Sequence, residues 1–183
     1  MLKVSALDQA LQDWRSVLGT DSVLSAPSAA ALYGAGGTRR IPAALRPTRS
    51  GSVAEIVRIA ARHRISLHPV STGRNWGYGG ALPPSDDCVV LDLSQLNRII
   101  AVDAELGTAT LEPGVTQGQL RAHLDQRGLP FMVPTTGAGP SVSLVGNALE
   151  RGYGITPHAD HFGAVQRHHP PKFGPCIVDA DCR

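Results

Sequence analysis

Several classes of protein are excluded by what this chain lacks. Aromatic residues make up 4% of it, and its three cysteines, Cys88, Cys176 and Cys182, fall at irregular spacing with no C-x-x-C pair. An odd count without regular spacing fits no disulfide framework and suits reduced thiols in a cytoplasmic protein. The formal net charge of +2 comes from charges spread along the chain. No basic run is present that could track a phosphate backbone, so nucleic acid is not an expected partner. No stretch of roughly 18 apolar residues occurs, and Met1 to Ser5 runs straight into an amphipathic pattern without the apolar core of a signal peptide. The expectation is a cytoplasmic protein with no membrane segment.

What remains is ordinary globular material with an unusual backbone. Hydrophobic residues at 42% and charged residues at 17% can build a core, and 183 residues suffice for one domain or one and a fraction. Glycine (20) and proline (14) are concentrated in a few places, where backbone conformation rather than side-chain chemistry carries the information.

Ser5 and Asp8 can cap a first helix with Leu7, Leu11, Trp14 and Leu18 along one stripe and Gly19 as its stop. Residues 25–49 are rich in Ala, Pro and Gly, lack periodicity, and read as a connecting arm. Tyr33-Gly34-Ala35-Gly36-Gly37 within it could mimic a phosphate loop, but no periodic strand precedes it. Ser52-Val53-Ala54-Glu55 has the form of a capping box, ahead of a helix that ends at Arg62-His63-Arg64. A short strand over 66–70, the segment 71–80, and a buried strand over 89–93 follow. Residues 99–102 and 108–112 flank a turn and predict a hairpin. Thr116 and Gln119 form a second capping box, and Gly128 ends that helix. Strands and helices mix without strict βαβα alternation, which predicts an α+β fold.

The segment Ser71-Thr72-Gly73-Arg74-Asn75-Trp76-Gly77-Tyr78-Gly79-Gly80 holds four glycines in ten residues. Glycine permits positive φ and close approach of the backbone to a ligand, and successive inward N–H groups make an anion-binding nest. A tight interstrand turn is the plainer alternative and needs only one or two glycines. Neither this stretch nor the second, over 135–154, ends in the Gly-Lys-Ser/Thr of a Walker loop.

Three motifs in order resemble the FAD-binding domain of the p-cresol methylhydroxylase and vanillyl-alcohol oxidase family. They are Gly73-Arg74-Asn75-x-Gly77-Tyr78-Gly79-Gly80, the Leu111-Glu112-Pro113-Gly114-Val115-Thr116 corner, and Gly146-Asn147 through Glu150-Arg151-Gly152 to Thr156-Pro157-x-x-Asp160-His161. The resemblance implies two α+β subdomains, FAD as cofactor and a flavin-dependent oxidoreductase of the phenol-oxidising branch. By the same resemblance Ser71, Thr72, Gly73, Arg74, Asn75 and Trp76 hold the FAD diphosphate through backbone amides. Pro134, Ser143, Gly146, Asn147, Gly152 and Ile155 lie along the ribityl chain and flavin. The helix opened by Thr116 points its N-terminus toward the cofactor. Thr135 stands where relatives place an aspartate beside the flavin, a departure from oxidases that use this carboxylate.

The resemblance divides the chain into 1–42, a helix and arm; 43–165, a partial FAD-binding domain; and 166–183, a tail. The tail, with its adjacent Pro170 and Pro171 and no periodicity, is unlike the strand expected there and suggests an incomplete chain. A substrate-binding cap, which carries much of the family's catalytic machinery, is then lacking from the chain, and its supply by a separate polypeptide is the second expectation. No catalytic residue is assigned. His158, His161, His168 and His169 with the late cysteines fit no zinc spacing, so no metal is expected. The alternative is a small non-enzymatic module whose glycine loops hold another phosphate ligand.

Overall fold

The computed structural model describes residues 5–35, 37–74, 80–133, 138–149, 165–167 and 176–179. The fold is α+β and comprises two units, Met1–Val70 with Ala81–Gln95, and Ser71–Gly80 with Leu96–Arg183.

In the first unit, α1 (Ala6–Leu18) starts at the expected capping box: the Ser5 hydroxyl accepts from the Asp8 N–H, and the Asp8 carboxylate accepts from Ser5. Gly19 stops it at φ +84°. The apolar stripe packs on α3 (Val53–His63), where Trp14, fully buried, donates its indole N–H to the Ile56 carbonyl at 3.2 Å. The Ser52 capping box does not form. Ser52 is itself helical, at φ −75° and ψ −20°, the last residue of a 3₁₀ turn, and the Glu55 carboxylate pairs with Arg58 instead. An N-cap needs extended backbone to aim its oxygen at the first turn, and the preceding turn denies it.

The sheet of this unit runs β1-β2-β4-β3, with β1 (Val23–Ser25), β2 (Ala43–Leu45), β3 (Leu67–Val70) and β4 (Val89–Asp92). β2 and β3 lie parallel to β4, and β1 pairs antiparallel with β2. Alternation sorts the buried strands into two layers. Ala43, Leu45, Val89 and Leu91 pack with α1 and α3, while Ala44, Val90 and Val70 pack with Ala29 and Tyr33 of α2 (Ala26–Tyr33). Residues 25–49 are therefore not a plain connecting arm: they include α2 and β2. An alanine-rich helix has little polar contrast around its circumference, so its sequence shows no period, and burial against the sheet selects it.

In the second unit, β5 (Ile99–Asp103) and β6 (Thr108–Leu111) form the expected hairpin, with a register irregularity between Ile99 and Ala101. Its turn is held by the Asp103 carboxylate, which accepts from the N–H groups of Glu105 and Leu106, and by Gly107 at φ +66°. α4 (Gln117–Gln126) opens at the Thr116 and Gln119 capping box, and Gly128 follows it at φ +62°. α5 spans Leu144–Leu149. The sheet order is β5-β6-β8-β7, all antiparallel, with β7 (Val165–Arg167) and β8 (Cys176–Asp179). The tail thus carries a strand, contrary to the sequence reading. A four-residue run is too short to show periodicity, and its ladder with β6 is what defines it.

Candidate functional site

The first glycine segment leaves β3 directly after Val70, which pairs with Asp92 of β4. Of its residues, Ser71, Thr72, Gly73 and Arg74 are described, with Gly73 at φ +65° and Arg74 bridged antiparallel to Gly80. A left-handed glycine permits the kind of turn in which successive N–H groups face one side. Among the described residues, none accepts from the backbone N–H groups of Ser71, Thr72 or Gly73. Donors left available at a left-handed turn suit an anionic ligand.

The second motif forms the corner between β6 and α4. Glu112 is 2% exposed, and its carboxylate accepts from the Arg98 N–H at 2.9 Å and the Arg98 guanidinium at 2.8 Å. Burial pushes the Glu112 carboxyl up, but the bonds and charge of Arg98 outweigh it and hold the group below its ordinary value. Gly114 donates to the Leu96 carbonyl at 2.7 Å, fixing the turn from its other side.

Of the third motif, Gly146 and Asn147 lie on α5, a helix the sequence did not reveal. Ser143, just before it, is buried and bonded in three directions. Its N–H donates to Thr72 Oγ1 at 3.1 Å, its hydroxyl donates to the Pro113 carbonyl at 2.6 Å, and its Oγ accepts from the Gly146 N–H at 2.9 Å. Leu144 donates to the Val115 carbonyl at 3.1 Å. Gly146 packs so closely on the loop that a Cβ there would stand 2.9 Å from Ser71 Oγ and 3.0 Å from Ser71 Cβ. Asn147 is 2% exposed, and its N–H donates to the Ser143 carbonyl at 3.0 Å.

Ser71, Thr72, Ser143 and Gly146 therefore converge with the Pro113 corner, although the sequence separates them by up to 75 positions. Asn75, Trp76, Pro134, Gly152 and Ile155 lie outside the described residues, as do Thr135, Glu150, Arg151 and the histidines from His158 to His169. The α4 N-terminus is closed by the protein's own acceptors. Its first N–H groups are consumed within the protein, Gln117 donating to Val142, Gly118 to Pro140 and Gln119 to Thr116 Oγ1, which leaves no orphan donor there for a ligand. Sequence reasoning also missed Arg98, the partner of Glu112. Nothing local marks it, because the pairing spans 14 positions across a hairpin.

The fold and the site together define an α+β domain with a left-handed glycine turn suited to an anionic ligand. The glycine turn and the Thr72 hydroxyl fit such a group, and Gly146 lets α5 pack close against the turn. Comparison with known proteins agrees. Residues 41–166 match the FAD binding domain family. The chain is 42% identical over 167 residues, 90% of its length, to 1'-carboxy-chondrochloren decarboxylase of Chondromyces crocatus. It is 37% identical over 161 residues, 85% of its length, to the flavoprotein subunit of 4-cresol dehydrogenase (hydroxylating) of Pseudomonas putida. Among solved structures, substrate-bound p-cresol methylhydroxylase superposes with a TM-score of 0.81 at 34% identity over 87% of the chain. For 4-ethylphenol oxidase of Gulosibacter chungangensis, over 87% of the chain as well, the TM-score is 0.78 at 30% identity.

The chain belongs to the FAD binding domain family, and its cofactor is FAD. It is an FAD-binding domain of flavin oxidoreductases related to p-cresol methylhydroxylase, and spans about a third of the length of these relatives: 31% of both curated proteins and 32% of both solved chains.

Proposed function

We propose that residues 43–165 bind FAD with its diphosphate on Ser71, Thr72, Gly73 and Arg74 and its ribityl and flavin edge along Ser143, Gly146 and Asn147. By the family resemblance, Asn75, Trp76, Pro134, Gly152 and Ile155 are included among the proposed cofactor contacts. The observation that carries this reading is the Ser143 N–H donating to Thr72 Oγ1, which joins the anion-suited turn to the close-packed Gly146 segment. When bound, FAD supplies the redox chemistry, accepting a hydride from a substrate carbon and passing the electrons on to oxygen or an electron-transfer partner. The protein's part is to hold and orient it.

On this reading the substrate is a phenol, as the names of the 4-cresol and 4-ethylphenol relatives suggest. No residue here is assigned to catalysis, and a cap on a separate polypeptide would complete the substrate pocket. Cytoplasmic residence belongs to the same proposal. Among the described residues, no helix is long and apolar enough to cross a membrane.

Titration with FAD, followed by flavin fluorescence and the visible spectrum, tests the binding. Saturable quenching at micromolar FAD is expected, with ADP competing more weakly because it lacks the isoalloxazine. Equal affinity for ADP and FAD would favour a general nucleotide-binding module. Absence of binding to either would overturn both readings. Activity appearing only when a cap-like polypeptide is added is the result that supports the two-polypeptide arrangement.

A further inference from the structure

A serine hydroxyl has one proton to give, and in Ser143 that proton is already committed. It goes to the Pro113 carbonyl at 2.6 Å, while the Gly146 N–H occupies an Oγ lone pair at 2.9 Å. Toward a diphosphate Ser143 Oγ could offer only its remaining lone pair, which an anion repels. Thr72 is in the opposite state. Its Oγ1 accepts the Ser143 N–H at 3.1 Å, and among the described residues its own proton has no acceptor. The accepted bond limits hydroxyl rotation and leaves Thr72 as a donor held in place. The loop is anchored in turn by the close contact of Ser71 with Gly146.

We propose that Ser143 is a positioning residue rather than a cofactor ligand through its side chain: it fixes Thr72 so that the Thr72 hydroxyl donates to an oxygen of the cofactor diphosphate. This rests on the FAD reading above and divides its residues into two roles. Pro113 is the backbone support on which Ser143 turns, which gives the Pro-Gly corner a part in binding without contact to the ligand.

The test compares FAD and ADP affinities of the wild-type chain with those of Thr72→Val, Thr72→Ser, Ser143→Ala and the double variant Thr72→Val with Ser143→Ala. A hydrogen bond to a charged group is worth about tenfold or more in affinity. Thr72→Val should therefore weaken FAD and ADP alike by about tenfold, since both carry the diphosphate, and Thr72→Ser should restore both. Ser143→Ala keeps the N–H that Thr72 accepts but removes the hydroxyl that anchors it to Pro113 and Gly146, so it should weaken FAD binding in the wild-type background but by less than about twofold when Thr72 is already Val, because its effect passes through Thr72. Multiplying losses in the double variant would mean that Ser143 acts on the cofactor independently, and would overturn the proposal. So would a Thr72→Val chain with unchanged affinity. If Ser143→Ala does not yield folded protein, the Thr72 pair decides alone by the same criterion. A wild-type chain that binds no FAD defeats the functional reading itself, whereas wild-type binding with an indifferent Thr72 defeats only this inference.

Discussion

The hydroxyl of Tyr33 donates a 2.6 Å hydrogen bond to the buried carboxylate of Asp92, 59 residues further along the chain. Asp92 also accepts from the Ser94 N–H at 2.8 Å and lies 3.3 Å from Arg46 Nε. One carboxylate thus ties α2, the segment after β2 and the end of β4 together, beside the point where β3 passes into the glycine loop. Burial, and then the hydrogen bond and charge of Asp92, raise the phenol well above its ordinary value of 10.0.

Removing that hydroxyl with Tyr33→Phe should cost about 1–3 kcal/mol, because a buried charged acceptor loses a donor. The pH dependence follows from the direction of the shift. A phenol whose pKa is higher folded than unfolded contributes stability that is fully present below pH 10 and is lost as pH rises above it. Urea unfolding between pH 8 and 11, a range of about three units around that value, should show an alkaline decline in the wild type that Tyr33→Phe flattens. Parallel declines would sink the assignment.

Glu112 should act at the other end of the scale. Its carboxyl is held below the ordinary 4.5 against the opposing effect of burial, so its contribution is present above that value and fades as pH falls through the lower folded pKa. Glu112→Gln should reduce stability at neutral pH and shallow the acid limb below 4.5. Thermal melting at pH 3, 5 and 7, conditions spaced about two units apart to bracket the transition, reads both effects. Arg98 is largely exposed, so the loss at neutral pH should stay modest.

Trp14 is fully buried between α1 and α3, with its N–H satisfied by Ile56. Trp14→Ala should destabilise the first unit by about 3–5 kcal/mol, the range for emptying an aromatic site in a core. Chemical denaturation checks it, and a loss under about 1 kcal/mol would show that α1 is not part of the core.

Gly146→Ala places a Cβ 3.0 Å from Ser71 Cβ and 3.3 Å from Ser143 Oγ, so the loop must give way. Crowding of this kind costs about 1–3 kcal/mol. The expected result is weaker FAD binding with circular dichroism preserved. Unchanged affinity would mean that the contact between Gly146 and Ser71 does not shape the cofactor surface.

Local signals in the sequence were faithful where the physics is local. Ser5 with Asp8, Thr116 with Gln119, and the stops at Gly19 and Gly128 lie where short-range hydrogen bonding and left-handed glycine put them. The Ser52 box failed because its neighbours form a 3₁₀ turn, which the four-residue motif does not encode. α2 was illegible since alanine presents the same face all round. β8 was illegible since a strand of four residues is recognised by its partner rather than its pattern.

The site divides along the same line. The glycine content of 71–80 marked an anion-suited turn in the sequence, because glycine's freedom at φ +65° is a property of the residue type, while the flavin reading of Gly146-Asn147 came from the family resemblance. Which atoms meet was decided only in three dimensions. A bond between Ser143 and Thr72 spans 71 positions, and no rule of spacing predicts it. It exists because the Ser71-Thr72 segment, the Pro113 corner and the start of α5 are brought to one place, where one serine bonds to all three.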